Sequence, residues 1–280
     1  MINPDEFDVQ IFLNLDSDVL YIDGNTGVPD YVLVKYKNPD DPTYREFSSV
    51  ESSHYGGENV VFDPKKVRSY FQGQIQKSIN GFDQFEVDPS TSGPAIKLDI
   101  VYGDNNTEMS IDMVPIVVLG GKEIVAKPHP KTKHKQHGEE YAKYWRWSFT
   151  KQEKAAIERY PKDACHRKCL KIIKAIRENH PGQLGQFRSY IFKTALLHLM
   201  DEHSQDEWGE EQLTERFIDF LQYFIQCLKL RELPHYFVDD LNIFEDMSES
   251  ALQNSMYFLS IKISSANIRQ LLKSDRVKKV

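Results

Sequence analysis

Cysteine is scarce: Cys165, Cys169 and Cys227 are the only three in 280 residues. An odd number cannot all pair with one another, and so few cannot staple a chain of this length, so reduced thiols are the expected state. Also missing is an apolar run of about twenty residues, the length a membrane-spanning helix requires. The N-terminus sets Asp5, Glu6 and Asp8 ahead of any apolar run and lacks the positive start and apolar middle of a secretory signal. The expectation is a soluble, cytoplasmic protein with no membrane partner. Positive charge is in deficit, with 35 Lys and Arg against 42 Asp and Glu and a net charge of −7. That balance excludes a surface coated all over by nucleic acid and confines any polyanion contact to a local patch. One candidate patch holds Lys127, His129, Lys131, Lys133, His134, Lys135 and His137 around Pro128 and Pro130. An unpatterned lysine run is equally the composition of a solvated loop. There is no internal repeat and no low-complexity tract.

What is present divides into two kinds of pattern. The first half reads as strands and loops and the second as helices, with the change near Tyr144 and Trp145. This predicts an α+β fold: a mixed-sheet lobe over 1–143 with flanking helices, then an all-helical lobe over 144–280. Phe7, Val9, Ile11, Leu13 and Leu15 recur at every second position, the period of a half-buried strand, which leaves Glu6, Asp8 and Gln10 on the opposite face. Pro, Gly and Asp punctuate residues 23–64, so loops are expected there around one strand near Tyr31–Tyr36. Residues 64–80 have helical spacing and stop at Gly81. Apolar runs over 95–102 and 109–119, joined by Gly103, Asp104, Asn105 and Asn106, predict a hairpin with Asp112 inside its second strand. Thr150 and Glu153 have the spacing of a capping box, and Asp163 is a candidate cap for a helix running to about Asn179 with Arg167, Lys171 and Lys174 on its basic face. Further helices are expected over 187–203, 210–230, 248–259 and 265–273.

The chemistry-bearing cluster is Glu6, Asp8 and Asp112. Residues i and i+2 of a strand project to one side about 6 to 7 Å apart, so two carboxylates so placed can grip a hard cation together. A third carboxylate from a neighbouring strand would complete a two-metal site and accept a proton from an attacking hydroxyl. Alternation of acid and apolar residues is also the ordinary pattern of a strand with one face in water.

The string from Asn3 to Val9, with Glu6-Phe7-Asp8-Val9 at its end, resembles the first metal-binding strand of the cyclic GMP-AMP synthase (cGAS)-like, Mab-type nucleotidyltransferases. Further motifs follow in the family's order: Ser110-Ile111-Asp112, then Trp145-Arg146-Trp147-Ser148-Phe149 at the opening of the helical lobe, Cys169-Leu170-Lys171 through Lys174, and Ser189-Tyr190 with Lys193-Thr194-Ala195. Residues 224–228 and 236–244 extend the similarity toward the C-terminus. The resemblance implies an enzyme that joins ATP and GTP into a cyclic dinucleotide by successive attacks on α-phosphates, as an innate immune sensor of nucleic acid. It implies Glu6, Asp8 and Asp112 as catalytic ligands of two Mg2+ (or Mn2+) ions. It also implies Arg146, Ser148, Thr150 and Glu153 as nucleotide contacts, Lys174 and Ser189 as triphosphate contacts, Lys193 as a further nucleotide-binding residue, Tyr190 as a base-stacking ring, and Lys127 as a further pocket lysine. From the residues alone, Arg146 is equally an ion-pair partner, Thr150 and Glu153 helix caps, Lys171 and Lys174 a solvated face, and Tyr190 a core aromatic.

The sequence departs from that family pattern in two places. Active members carry a Gly-Ser motif and a long helix ahead of the first metal strand, whereas here Met1 stands six residues before Phe7. The expectation is an N-terminally incomplete form, and the alternative is a catalytically inactive, nucleotide-binding or adaptor protein. A third reading is a non-catalytic nucleic-acid binder using the 127–137 stretch. Vertebrate cGAS also inserts a His-Cys-Cys-Cys zinc knuckle, where this sequence has only Cys165, His166 and Cys169. No zinc is therefore expected, and double-stranded RNA rather than DNA is the favoured activator.

Overall fold

The computed structural model describes residues 6–52, 58–87, 95–102, 107–127, 129 and 141–263, in two compact units that divide between Phe149 and Thr150. The first unit contains β1 (Glu6–Asn14), β2 (Leu20–Asp23), β3 (Tyr31–Tyr36), β4 (Ser48–Ser52), β5 (Glu58–Phe62), α1 (Pro64–Ile79), β6 (Phe85–Val87), β7 (Ile96–Tyr102), β8 (Thr107–Leu119), β9 (Lys122–Val125) and β10 (Trp145–Trp147). The strands form one ten-stranded sheet in the order β4-β5-β3-β10-β9-β8-β7-β6, with β1 on β8 and β2 on β3. β1 runs parallel to β8, and the other pairings are antiparallel.

Alternation decides which way each strand faces. Ile96, Leu98 and Ile100 of β7, with Ile111 and Met113 of β8, pack against Phe71, Ile75 and Ile79 of α1. The intervening residues of β7 and β8 therefore turn to the sheet face away from α1. Asp63 caps α1 by accepting from the backbone N–H groups of Lys65 (2.8 Å) and Lys66 (3.4 Å), and Pro64 at the first helical position sacrifices no needed donor. Between β8 and β9 the chain reverses through Gly120 and Gly121, at φ 56° and 76°; two consecutive left-handed residues make the tight hairpin turn for which glycine is suited. β3 is buried along almost its whole length, and Trp145 of β10 stacks on Phe62 at 5.7 Å while its indole N–H donates to the Phe62 carbonyl at 2.8 Å.

The segment expected to be loops around one strand also holds β2 and the β4–β5 hairpin. Val50 is 52 % exposed, and polar Ser48, Ser49 and Glu51 surround it, so β4 is held by its backbone ladder rather than by an apolar face that a sequence pattern would reveal. Trp145–Trp147, at the opening of the helical half by sequence, is a sheet strand between β3 and β9.

The second unit holds α2 (Thr150–Glu158), α3 (His166–Asn179), α4 (Ser189–Glu202), α5 (Leu213–Leu230) and α6 (Glu249–Lys262), with a single turn at Pro181–Leu184. Phe187, Phe192, Phe220 and Phe224 are fully buried at its centre. Phe187 and Phe192 meet Phe224 at ring distances of 5.3 and 5.2 Å. Asp163 does not cap α3: the helix begins three residues later, with Cys165 in the capping position and no side-chain cap bond. Cys165 is buried and its N–H donates to the Trp208 carbonyl at 2.8 Å, so tertiary contacts fix this helix start in place of a solvent-facing cap. The helix expected over 265–273 lies outside the described residues. No helix among the described residues is long and apolar enough to cross a membrane.

Candidate active site

The parallel pairing of β1 with β8 sets Asp8 directly opposite Asp112. Neighbouring strands lie about 4.8 Å apart and paired residues share a face, so the two carboxylates stand side by side on the face away from α1. Ser110 pairs with Glu6 across the same strands, two residues along. β7 extends the row on the other side of β8, with Lys97 opposite Asp112 and Asp99 opposite Ser110. Lys97 Nζ sits 3.1 Å from Asp99 Oδ1, and the Ser110 hydroxyl also donates to that oxygen. The Ser110 bond outweighs the opposing effect of burial and, with a smaller contribution from Lys97, holds the Asp99 carboxyl below its ordinary range. Sequence reasoning missed Lys97 and Asp99. The signal was there, because only four residues separate β7 from β8 in sequence, and the hairpin register that sets Tyr102 opposite Thr107 carries through to Lys97 and Asp112.

Two aspartates on adjacent strands match the chemistry of a magnesium or manganese site, since these hard cations take carboxylate oxygens and tolerate remaining positions filled by water or phosphate. Among the described residues no group of three or more His, Cys, Asp or Glu side chains gathers closely enough to hold a metal alone. The described part of this site is a pair, and the side chain of Glu6 lies outside it.

Arg146, on β10, donates its Nε–H to Asp30 Oδ2. Asp30 is 5 % exposed and its backbone carbonyl accepts from Trp147 N–H at 3.0 Å. Burial pushes the Asp30 carboxyl up to about 6, against the pull of Arg146 and then Lys127. Lys127 therefore lies within electrostatic reach of the same carboxylate. Ser148 is buried and its N–H donates to the Glu123 carbonyl at 2.9 Å. Because the folded protein holds the Asp30 proton up to about pH 6 and the unfolded chain releases it near 3.8, stability falls as pH rises through that window and levels off above it. We expect an Asp30→Asn variant to gain about 2 kcal/mol relative to the parent between pH 4.5 and 7.5, read by urea unfolding. A constant difference across that range would contradict it.

In the second unit, Thr150 opens α2 and is exposed. Glu153, one turn on, pairs with Lys193 of α4 at 2.5 Å. Lys174 of α3 is half-buried, and burial, then Lys193, then Arg177 depress its ammonium pKa. Arg177 Nη1 donates to Ser189 Oγ at 3.1 Å. Glu153, Lys174, Lys193 and Ser189 thus come together, with Arg177 a cation that the sequence reading did not single out. Crowded like charges at a partly desolvated position disfavour the charged form of Lys174 and favour an anionic neighbour, which Glu153 supplies to Lys193. The Tyr190 hydroxyl meets His235 Nε2 at 2.7 Å, and Phe237 N–H donates to His235 Nδ1 at 3.1 Å. His235 therefore anchors Tyr190 rather than leaving it in a purely apolar stripe. His129 meets the Tyr31 ring at 4.8 Å, whereas Lys131, Lys133, His134, Lys135 and His137 lie outside the described residues.

A mixed sheet that sets paired aspartates on neighbouring strands, followed by a helical unit with a cationic cluster, is the two-part architecture of a nucleotidyltransferase-type protein. Residues 1–159 match the Mab-21 protein nucleotidyltransferase domain, and residues 165–260 match the Mab-21 protein HhH/H2TH-like domain. The chain belongs to the Mab-21 family. It is 25 % identical over 264 residues to cyclic GMP-AMP synthase-like receptor 3 of Stylophora pistillata, covering 90 % of this chain and 73 % of that protein. The cyclic GMP-AMP synthase-like receptor of Tribolium castaneum is 24 % identical over 287 residues, 90 % of this chain and 69 % of that one. Cyclic GMP-AMP synthase of Mus musculus is 26 % identical over 297 residues, 93 % of this chain but 56 % of its own length. The chain therefore spans a little over half of the mouse protein.

Proposed function

We propose that this chain is a cGAS-like nucleotidyltransferase that uses ATP and GTP to build a cyclic dinucleotide, in the cytoplasm, as an innate immune sensor switched on by double-stranded nucleic acid, with RNA favoured over DNA. The observation that carries the reading is the register of Asp8 against Asp112 on parallel strands, in a chain of this family. Glu6, two residues before Asp8 in β1, would join them in holding magnesium or manganese. Bound there, the ions would neutralise charge on the reacting phosphates and raise the acidity of an attacking sugar hydroxyl. Asp112, in the middle strand of the row, would orient that hydroxyl. Each attack on an α-phosphate expels pyrophosphate, so the work left to the protein is positioning and charge stabilisation.

Lys174, Lys193 and Arg177 supply positive charge for a triphosphate, with Ser189 as a hydrogen-bonding group among them. Phosphate oxygens would compete with Glu153 for Lys193, a single exchange of ion-pair partners. Lys127, Arg146, Ser148 and Thr150 would contact the nucleotide, and Tyr190, steadied by His235, would stack on a base. Replacing Lys174 with alanine should weaken binding of a fluorescent ATP analogue by about tenfold, the loss of one charge-assisted contact. Since the Lys174 pKa is lowered, its charge is shed at lower pH than for a free lysine, and wild-type affinity should decline correspondingly early on the alkaline side. An alkaline profile identical in wild type and Lys174→Ala would count against this role.

The proposed activity is tested by incubating the protein with ATP, GTP, magnesium or manganese, and duplex RNA or DNA, and resolving products by mass spectrometry. A cyclic dinucleotide made with a duplex and absent without one is the expected result. Nucleotide binding with no product under any duplex would replace this reading with the non-catalytic adaptor. Salt-sensitive duplex binding without nucleotide binding would replace it with a nucleic-acid binder.

A further inference from the structure

We propose that Asp30 is a positioning residue that clamps the Arg146 guanidinium in the orientation needed to meet a nucleotide. The inference rests on the reading of Arg146 as a nucleotide contact and adds to it a residue from the loop ahead of β3.

The loop is built to hold one shape. Thr26 Oγ1 donates to the carbonyls of Val28 and Tyr31 at 3.1 and 2.9 Å, and Tyr31 N–H returns to the Val28 carbonyl at 3.2 Å. Pro29 and Asp30 are the central residues of this turn, and Asp30 sits at φ 68°. A turn with proline first and a left-handed residue second favours glycine or asparagine there, so aspartate is not the choice backbone preference makes. Burial makes the choice costlier, because an ionised carboxylate gives up water and Asp30 Oδ1 has no hydrogen-bond partner among the described residues. A residue disfavoured by both backbone and burial points to a role its charge performs.

That role is visible in what Asp30 touches. Its backbone carbonyl accepts from Trp147 N–H, and its side chain accepts from Arg146 Nε, so the turn grips two consecutive residues of β10. The guanidinium is planar, so fixing its Nε–H fixes the direction of the whole fork. The Arg146 side chain stays 27 % exposed while Asp30 is sealed beneath it at 3 %. Among the described residues, Lys127 and Tyr31 also act on this pair, and His129 packs on the Tyr31 ring. With the carboxylate removed, Arg146 keeps its charge and loses the acceptor that fixes its Nε–H.

The test uses the full chain, magnesium, and fluorescent ATP and GTP analogues as probes. Asp30→Asn preserves the left-handed backbone preference and removes only the charge, so it is expected to fold with a thermal midpoint no lower than the parent. Its affinity for at least one probe should nevertheless fall about tenfold, the worth of one oriented charged contact. Arg146→Ala should fall at least as far, and the double variant no further than Arg146→Ala alone. Arg146→Lys keeps a positive charge without the fork and should lose as much as Asp30→Asn; it carries the test should Asp30→Asn fail to fold. Parental affinity in Asp30→Asn or Arg146→Lys beside a weakened Arg146→Ala overturns the clamp alone. Parental affinity in Arg146→Ala overturns it through its premise, and marks the nucleotide role of Arg146 as the part that failed.

Discussion

Replacing Asp112 with asparagine is expected to lower nucleotidyl transfer by on the order of 10³-fold while leaving the fold intact. Asp112 is a middle-strand residue, with Asp8 on one side and Lys97 on the other. Asparagine occupies nearly the same volume and keeps one carbonyl oxygen, but it loses the negative charge that offsets a divalent ion and assists a hydroxyl. The backbone ladders on both sides of Asp112 are untouched by the change, and its side chain faces away from the Ile96 and Leu98 core under α1. Thermal midpoint and activity should therefore separate: an unchanged midpoint with product lost. A variant that keeps more than a tenth of the parental rate would remove Asp112 from the chemistry.

The largest expected loss of stability follows Trp145→Ala. Trp145 is fully buried, its ring stacks on Phe62, and its indole N–H satisfies the Phe62 carbonyl. Truncation leaves a large cavity between strands and an unpaired carbonyl, so the cost should be about 3–5 kcal/mol for the cavity, with about 1 kcal/mol more for the lost hydrogen bond. Trp145→Phe restores most of the stacking area without the N–H and should recover more than half of that loss. Urea unfolding of the two variants measures both quantities. Equal destabilisation by alanine and phenylalanine would mean that the hydrogen bond, not the packing, dominates. Because Arg146 and Trp147 are anchored through the same short strand, Trp145→Ala should also weaken nucleotide binding under conditions where it remains folded.

Much of the fold was legible because the decisive signals are periodic. The two-residue repeat of Phe7, Val9, Ile11 and Leu13 marked β1, and the spacing of Val67, Phe71, Ile75 and Ile79 marked α1. What escaped was structure held by backbone pairing and distant contacts. β4 has too few apolar residues to alternate, β10 is three residues long, and the start of α3 is set by Trp208, forty-three positions beyond Cys165. For the candidate site, sequence supplied residue types and an order of motifs, but not which residues face one another. Asp8 beside Asp112 depends on a parallel register between strands about a hundred residues apart, and that register follows from the packed sheet. Asp30 was invisible for a related reason: a lone acid after proline in a loop looks like any turn residue until the loop is seen folded onto Arg146.

Titration with Mn2+, followed by the loss of its free-ion electron paramagnetic resonance signal, asks directly whether the aspartates of β1 and β8 act as a unit. Binding by the parent protein that weakens at least tenfold in both Asp8→Asn and Asp112→Asn, with no further loss in the double variant, is the outcome expected of a shared ion. Equal Mn2+ affinity in the parent and both variants would contradict the claim that these two aspartates form a metal site.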